Sequence, residues 1–344
     1  MAFAIAGFLN VLDVGEIEWK FIATHDSGSR CGKVIPWLRS LPRLVACRFG
    51  FRPDVAWVHS GAAPSMIRIA CVAAVCRLLG VPVLWHLHCP TVDWWLDGPW
   101  RRLAFRMMTC PATKFAVVVP WWTHRMAAVG IKKKAVAIPN VVERDLVDRS
   151  EKPRASSGSG ECVFYTACRL VEGKGADRLI QAVARCTQPL RVVIAGDGPQ
   201  RPALEALIGS LELQSHVEFA GWLKSDQLQG IRDSSDAFVL VSTLDSFGMG
   251  YIEAAASGLP AIGARWQAIP DVVADGEVGI LVDPDDIDAL AGAMDELAAD
   301  PDLRARMGAA GQDSVRQHWS PEARVGVLKE EVALLAKRRP SGVV

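Results

Sequence analysis

Two acids, Asp245 and Glu253, stand eight residues apart in STLDSFGMGYIEAAASGLPAIGA (Ser242 to Ala264), with Gly248 and Gly250 between them. The apolar run AFVLVS leads in and an Ala-rich helical run leads out, so the stretch reads as a strand end, a glycine loop and a helix start. The free amides of a first helical turn attract a diphosphate. Glu253, about one turn into the helix, can accept hydrogen bonds from vicinal hydroxyls such as those of a ribose. Asp245, on the loop, faces the other end of such a ligand, where the hydroxyls of a sugar would lie. Either carboxylate alone reads as a solvated helix-start acid favoured by the helix dipole. The whole set is harder to explain that way.

Three other strand ends carry matching residues. RLVEGKG places Arg169 and Lys174 on one short loop, a planar fork and a point charge suited to a diphosphate. Taken alone, they read equally well as solvated surface charges. GDGP (Gly196, Asp197, Gly198, Pro199) is a tight turn whose glycines allow close approach to a ligand or simply serve the turn. VEFAGW ends in Gly221, which leaves room for a nucleobase or ends the strand, and in Trp222, which reads as packing.

The elements that must position these residues are α/β. Short buried runs (PDVAWVHS, VPVLWHLH, KFAVVVP and KAVAIPN, then CVFYTACRL, LRVVIAGDG, HVEFAGW and AFVLVST) alternate with helical patterns such as GADRLIQAVARC and RPALEALIGSL. That alternation implies parallel sheets with right-handed crossovers. At 344 residues the chain suits two domains. They are expected at 1–150 and 162–318, joined by the polar stretch 151–161 and followed by a helical tail, 319–344. The chain opens on MAFAIAGFLNVLD, which reads as a first helix, with EWKFIATH as the next strand. A doubly wound domain usually opens with a strand and a Gly-rich turn, and these are expected to be missing upstream.

Net charge is zero, but residues 1–150 hold 19 Lys and Arg against 10 Asp and Glu. This half either meets something anionic or complements the acidic remainder. Nine scattered cysteines without a C-x-x-C pair argue for reduced thiols in a cytosolic protein, against zinc and against a disulfide framework. No leader pattern opens the sequence, and no run approaches the roughly 20 apolar residues of a spanning helix.

The series ACRLVEGKGADRLIQA, VVIAGDGPQRPALEAL, VEFAGW, AFVLVSTLDSFGMGYIEAAASGLPAIGA and IPDVVADGEVGILVDPDDIDALAGAM resembles the family 4 retaining glycosyltransferases of the GT-B fold over nearly all of residues 160–330. The resemblance implies two Rossmann-like domains facing a cleft, the first lacking its opening strand and Gly-rich loop. It implies that Arg169 and Lys174 grip the donor diphosphate, that Glu253 holds the donor ribose, and that Asp245 stands where the family has a glutamate facing the transferred sugar. Phe247, Gly248, Met249 and Gly250 match the loop whose amides contact phosphate and sugar, with Gly196, Gly198 and Gly221 also on the donor side. His88 matches the histidine of the first domain near the reaction centre, with His86 as the alternative and His59 as a further acceptor-side residue. Arg169, Lys174, Asp245 and His88 are thus the expected catalytic groups. Asp245 is one methylene shorter than glutamate, a displacement of about 1 Å that weakens catalysis.

The expected reaction moves a sugar from a nucleotide-sugar co-substrate to a hydroxyl of a glycan or lipid-linked acceptor with retention, and requires neither metal nor other cofactor. No nucleic-acid partner is expected. Nine of twelve Trp lie before residue 150, and DWWLDGPWRR and IKKK mix aromatics with cations. Peripheral contact with an anionic membrane at its inner face is one reading, and core or sugar-contacting tryptophans are the other. Two alternatives remain for the whole chain: a nucleotide-sugar epimerase on the same fold, or a non-catalytic protein that binds a nucleotide sugar or a partner.

Overall fold

Uninterrupted Val, Ile, Leu and aromatic runs form parallel strands covered on both faces, and each such run of residues 53–242 becomes one. The computed structural model describes residues 17–24, 30–61, 63–151 and 160–337. The described chain divides into two units, one reaching Pro139 and resuming at Arg324, the other Asn140–Ala323.

The first unit is a four-stranded parallel sheet in the order β1 (Ala56–Ser60), β2 (Val83–Leu87), β3 (Lys114–Val117) and β4 (Ala135–Ala137). Its helices are α1 (Arg30–Gly50), α2 (Ala63–Leu78), α3 (Val92–Leu96), α4 (Pro99–Met108) and α5 (Pro120–Ala128). All five residues of β2 are buried. The expected strand EWKFIATH does not form: residues 17–24 carry no regular secondary structure, and among the described residues no strand pairs with them. The expected opening helix, MAFAIAGFLNVLD, lies outside the described residues.

The second unit begins with α6 (Arg144–Ser150) and continues β5 (Cys162–Ala167), α7 (Ala176–Val183), β6 (Leu190–Ala195), α8 (Arg201–Ser210), β7 (Val217–Gly221), α9 (Ser225–Ser234), β8 (Ala237–Leu240), α10 (Met249–Ala256), β9 (Ala261–Ala264), β10 (Gly279–Val282), α11 (Ile287–Ala299) and α12 (Pro301–Ser314). Its parallel sheet runs β10-β9-β8-β5-β6-β7. Two strands, β9 and β10, lie in stretches too short and too glycine-rich to stand out as strands in the sequence.

The units divide at Pro139 and Asn140, ahead of the polar stretch expected to join them. The reason is packing: α6 rests on α10 and on the π-helical turn Val315–Trp319, and the Val142 amide donates to the Trp319 carbonyl at 3.2 Å. The last helix, α13 (Pro321–Ala336), counts with the first unit from Arg324 onward, where Glu331 pairs with Lys114 of β3. Among the described residues no helix is long and apolar enough to cross a membrane.

Helix α12 packs on the α10–β9 turn through glycine. A Cβ on Gly308 would sit 2.1 Å from the Gly258 carbonyl oxygen, whereas one on Gly292, in α11, would meet nothing within 4 Å. Gly308→Ala is therefore expected to destabilise the chain by about 1–3 kcal/mol, and Gly292→Ala to stabilise it by about 0.5–1 kcal/mol. Urea unfolding of the two variants checks both signs.

Candidate functional site

In the second unit β5 and β8 lie side by side, yet the chain leaves β5 toward β6 and β7 and leaves β8 toward β9 and β10. Such a reversal opens a crevice beyond the carboxyl ends of the two strands. The loops that border it are 168–175 and 241–248, which carry Arg169 and Lys174 on one side and Asp245 on the other.

The loops are laced together by backbone. The Gly173 carbonyl accepts from the Thr243 amide at 2.8 Å and from the Ser242 hydroxyl at 3.2 Å. Gly175 has φ +78°, and a Cβ there would lie 2.4 Å from the Val241 carbonyl oxygen. This contact sets Lys174 opposite Asp245, and its Nζ donates to both carboxylate oxygens at 2.8 Å. Arg169 is exposed, and among the described residues no carboxylate pairs with it.

Gly248, at φ +84°, caps α10, and no side chain caps that helix. Met249 and Gly250 thus form the first helical turn instead of a loop, with their amides directed out of the helix start. The turn is held from below: Tyr251 is buried, packs edge-on to Phe238 at 5.3 Å, and donates its hydroxyl to the Leu240 carbonyl. A Cβ on Gly248 would strike the Tyr251 ring, and one on Gly250 would lie 2.9 Å from Phe238. Phe247 is 2% exposed, with its ring 5.5 Å from Trp319, so its side chain belongs to the core and only its backbone can meet a ligand.

Glu253 sits one turn into α10 and pairs with Arg232 of α9 at 3.2 Å. Burial pushes the Glu253 carboxyl above its ordinary range, and the guanidinium opposes that shift. Arg232 was not expected from the sequence. Its side chain is 4% exposed and also donates to Gln229 at 3.0 Å, and it stands in an ordinary helix, QLQGIRDS, with no spacing to mark it.

The GDGP turn works on backbone as well. Cβ atoms on Gly196 and Gly198 would fall 1.9 Å from the Cys168 carbonyl oxygen and 2.3 Å from that of Leu170, so these glycines let the turn pack against the Arg169 loop. A Cβ on Gly221, at φ +71°, would meet only the Arg201 guanidinium, at 3.8 Å, and the Gly221 carbonyl accepts from the Gly196 amide at 2.7 Å. Trp222, expected to pack, is instead 74% exposed, because β7 is an edge strand and the tryptophan lies past its end. A polar cavity of about 460 Å³ opens on the other flank of Gly173, lined by Glu172, Arg178, Gln200 and Thr243 among others.

In the first unit the histidines gather. His59 of β1 is in register with His86 of β2, and His88 follows two residues on, so all three share one face at the carboxyl edge of the sheet. Nδ1 of His59 and Nε2 of His88 are 2.9 Å apart. The ring nitrogens of the three lie within 4.8 Å of one another, which makes them the residues, among those described, able to hold a divalent ion. His86 is fully buried under Trp57, with rings 5.8 Å apart, and neither nitrogen has a hydrogen bond in good geometry. His88 is half-buried, so of the two alternatives it is the one that can touch a ligand. Burial holds His59 and His86 well below the ordinary histidine value, with His88 adding to the effect.

Residues 148–314 match the protein family described as Glycosyl transferases group 1. The chain is 31% identical over 261 residues to the GDP-mannose-dependent alpha-(1-6)-phosphatidylinositol monomannoside mannosyltransferase of Mycolicibacterium smegmatis, covering 71% of this chain and 68% of that one. It is 29% identical to the lipopolysaccharide core biosynthesis glycosyltransferase LpsE of Rhizobium meliloti, covering 66% of this chain and 65% of the relative. Among solved structures it is similar to Anabaena HepE in complex with UDP and glucose (TM-score 0.71, 18% identity, 95% of this chain and 89% of that one). It is also similar to sucrose-phosphate synthase from Thermosynechococcus elongatus (TM-score 0.70, 20% identity, 88% and 78%). The fold is GT-B.

Two measurements follow from the charges. Arg232→Met leaves the half-buried Glu253 without its partner and is expected to cost about 1–3 kcal/mol at pH 7. Because the Glu253 pKa is raised on folding, the folded state holds the extra proton above pH ~4.3, and stability falls as pH rises through that window. The cost of Arg232→Met should therefore shrink at pH 5, as urea midpoints at the two pH values will show. The histidines have the opposite sign. Their folded pKa values lie below 6.5, so their contribution is present above pH 6.5 and lost as pH falls. The thermal midpoint should drop on acidification below that value, and His86→Leu should flatten the drop.

Proposed function

Because this chain belongs to the Glycosyl transferases group 1 family, a retaining family of hexosyltransferases, we propose that it transfers a sugar from a nucleoside-diphosphate donor to a hydroxyl of a lipid-linked or glycan acceptor, keeping the anomeric configuration. One observation carries the reading. Lys174 pairs with Asp245 at the reversal point between β5 and β8, on the two loops that also carry Arg169 and lead into the start of α10, which no side chain caps.

The task is to break a sugar–phosphate bond. Negative charge develops on the diphosphate as the sugar becomes oxocarbenium-like. Arg169 and Lys174 stabilise the leaving group, together with the first-turn amides of α10. Lys174 has three N–H donors, so it can keep Asp245 while it meets a phosphate oxygen. The pair thereby neutralises the lysine before the donor arrives and holds Asp245 toward the sugar afterward. Glu253, steadied by Arg232, accepts from the ribose hydroxyls. Gly196, Gly198 and Gly221 shape the donor side mainly by letting loops pack closely. His88, steadied by His59, serves the acceptor side. The lipid acceptor is favoured because the named relatives act on a phosphatidylinositol monomannoside and in lipopolysaccharide core synthesis.

The test is thermal unfolding of the full chain with UDP, GDP, ADP and dTDP in turn. One of them is expected to stabilise it by ~2.7 kcal/mol at 100 times its dissociation constant. Lys174→Met should weaken that nucleotide at least tenfold, the loss of about 1.5 kcal/mol of charge-assisted bonding. A chain that none of the four stabilises would sink the donor reading.

A further inference from the structure

Beyond the histidine edge of β2 the chain passes directly into α3 and α4, and these helices turn apolar side chains outward. In α4 only Phe105 is buried. Trp100 is 80% exposed, Met107 70% and Leu103 47%, and their spacing of three and four puts them on one stripe of the helix. Trp94 of α3, also exposed, adds to it, with the Arg101 guanidinium 4.3 Å from the centre of its ring. An exposed cluster of this size on a ten-residue helix is not what solvent alone favours.

The cluster is ringed by cations and is held rigidly. Lys133 donates to the carbonyls of Thr109, Cys110 and Ala112, which ties down the end of α4. Arg106 donates to the Gly130 carbonyl at 2.7 Å. These contacts bring the 130–134 loop, with exposed Lys132 and Lys134, to the end of the helix that carries exposed Arg106, while exposed Arg101 stands in its first turn. The nearby acids are already engaged: Asp93 pairs with Arg125, and Asp97 with Arg101.

We propose that the outer face of α3 and α4 docks on an anionic lipid bilayer, with Trp100, Leu103 and Met107 entering the headgroup–acyl boundary and the surrounding arginines and lysines meeting lipid phosphates. Charge complementarity selects this occupant. A second copy of the chain would set the same cations against each other, and a neutral apolar partner would leave them unpaired. The purpose of the surface rests on the lipid-linked acceptor reading, because it would hold the segment that follows His88 at the membrane where such an acceptor resides.

The full chain is floated with vesicles of phosphatidylcholine alone, or of equal parts phosphatidylcholine and phosphatidylglycerol. Flotation is expected with the anionic vesicles and not with the neutral ones, and added salt should weaken it. The triple variant Trp100→Ser, Leu103→Ser, Met107→Ser should lose at least tenfold in apparent affinity. So should Arg106→Gln with Lys132→Gln and Lys134→Gln. Both variants should keep the nucleotide stabilisation of the parent chain, which shows that they remain folded. The proposal is overturned if anionic vesicles do not float the parent chain, if neutral vesicles float it equally well, or if the triple serine variant binds as the parent does. It is also overturned if the face instead drives self-association that the serine substitutions abolish. Vesicle binding by a chain that no nucleotide stabilises would sink the donor reading and leave the surface standing, and nucleotide stabilisation without vesicle binding would do the reverse.

Discussion

A side chain at Gly175 would place its first carbon 2.4 Å from the Val241 carbonyl oxygen, closer than any packed carbon can come. Around this contact the second unit brings the end of β5 against the end of β8. Gly173, two residues earlier, offers its carbonyl to both Ser242 and Thr243. Lys174 lies between two glycines whose backbones are committed, so the lacing fixes where its side chain starts and the bonds to Asp245 hold its end. The reversed strand order makes this junction a crevice, and the glycines make it narrow enough for groups on both loops to act on one ligand.

Two ion pairs follow from that geometry, and they differ in kind. Lys174 and Asp245 meet across the loop junction and remain partly accessible to solvent. Arg232 is almost wholly buried and Glu253, on α10, is half-buried, and desolvation works against the carboxylate. An isolated carboxylate so placed would hold its proton and lose its power to accept two hydrogen bonds. The arginine keeps Glu253 useful by opposing that tendency.

The first unit is organised by strand register. Pairing of β1 with β2 puts His59 beside His86, and the two-residue repeat carries His88 onto the same face. Burial of His59 and His86 at this edge, with His88 beside them, disfavours their protonated forms. The segment that leaves this edge becomes the cation-ringed, tryptophan-bearing face of α3 and α4. A polar edge and an amphipathic surface are thus joined by a few residues of chain.

Much of this was legible in the amino-acid order. Strand–helix alternation, the glycine loop before α10 and the charged strand ends at Arg169, Lys174, Asp245 and Glu253 are local patterns, and local backbone preferences decide them. Other features needed the folded chain. Arg232 has no signal in its helix because its partner is twenty-one residues away in sequence, and only the folded chain brings the two together. In sequence the glycines of GDGP read as serving a ligand or the turn, and tertiary packing shows that they let the turn approach neighbouring backbone, while it turns the Phe247 side chain inward. Likewise Trp222 and Trp122 are the same residue type with opposite fates, 74% and 3% exposed. The sequence by itself determined which chemistry the chain carries, because residue types and short spacings suffice for that. Which of those groups stand free to meet a ligand, and which are held by a partner, was decided only by tertiary structure, because burial and pairing are properties of contacts between distant segments.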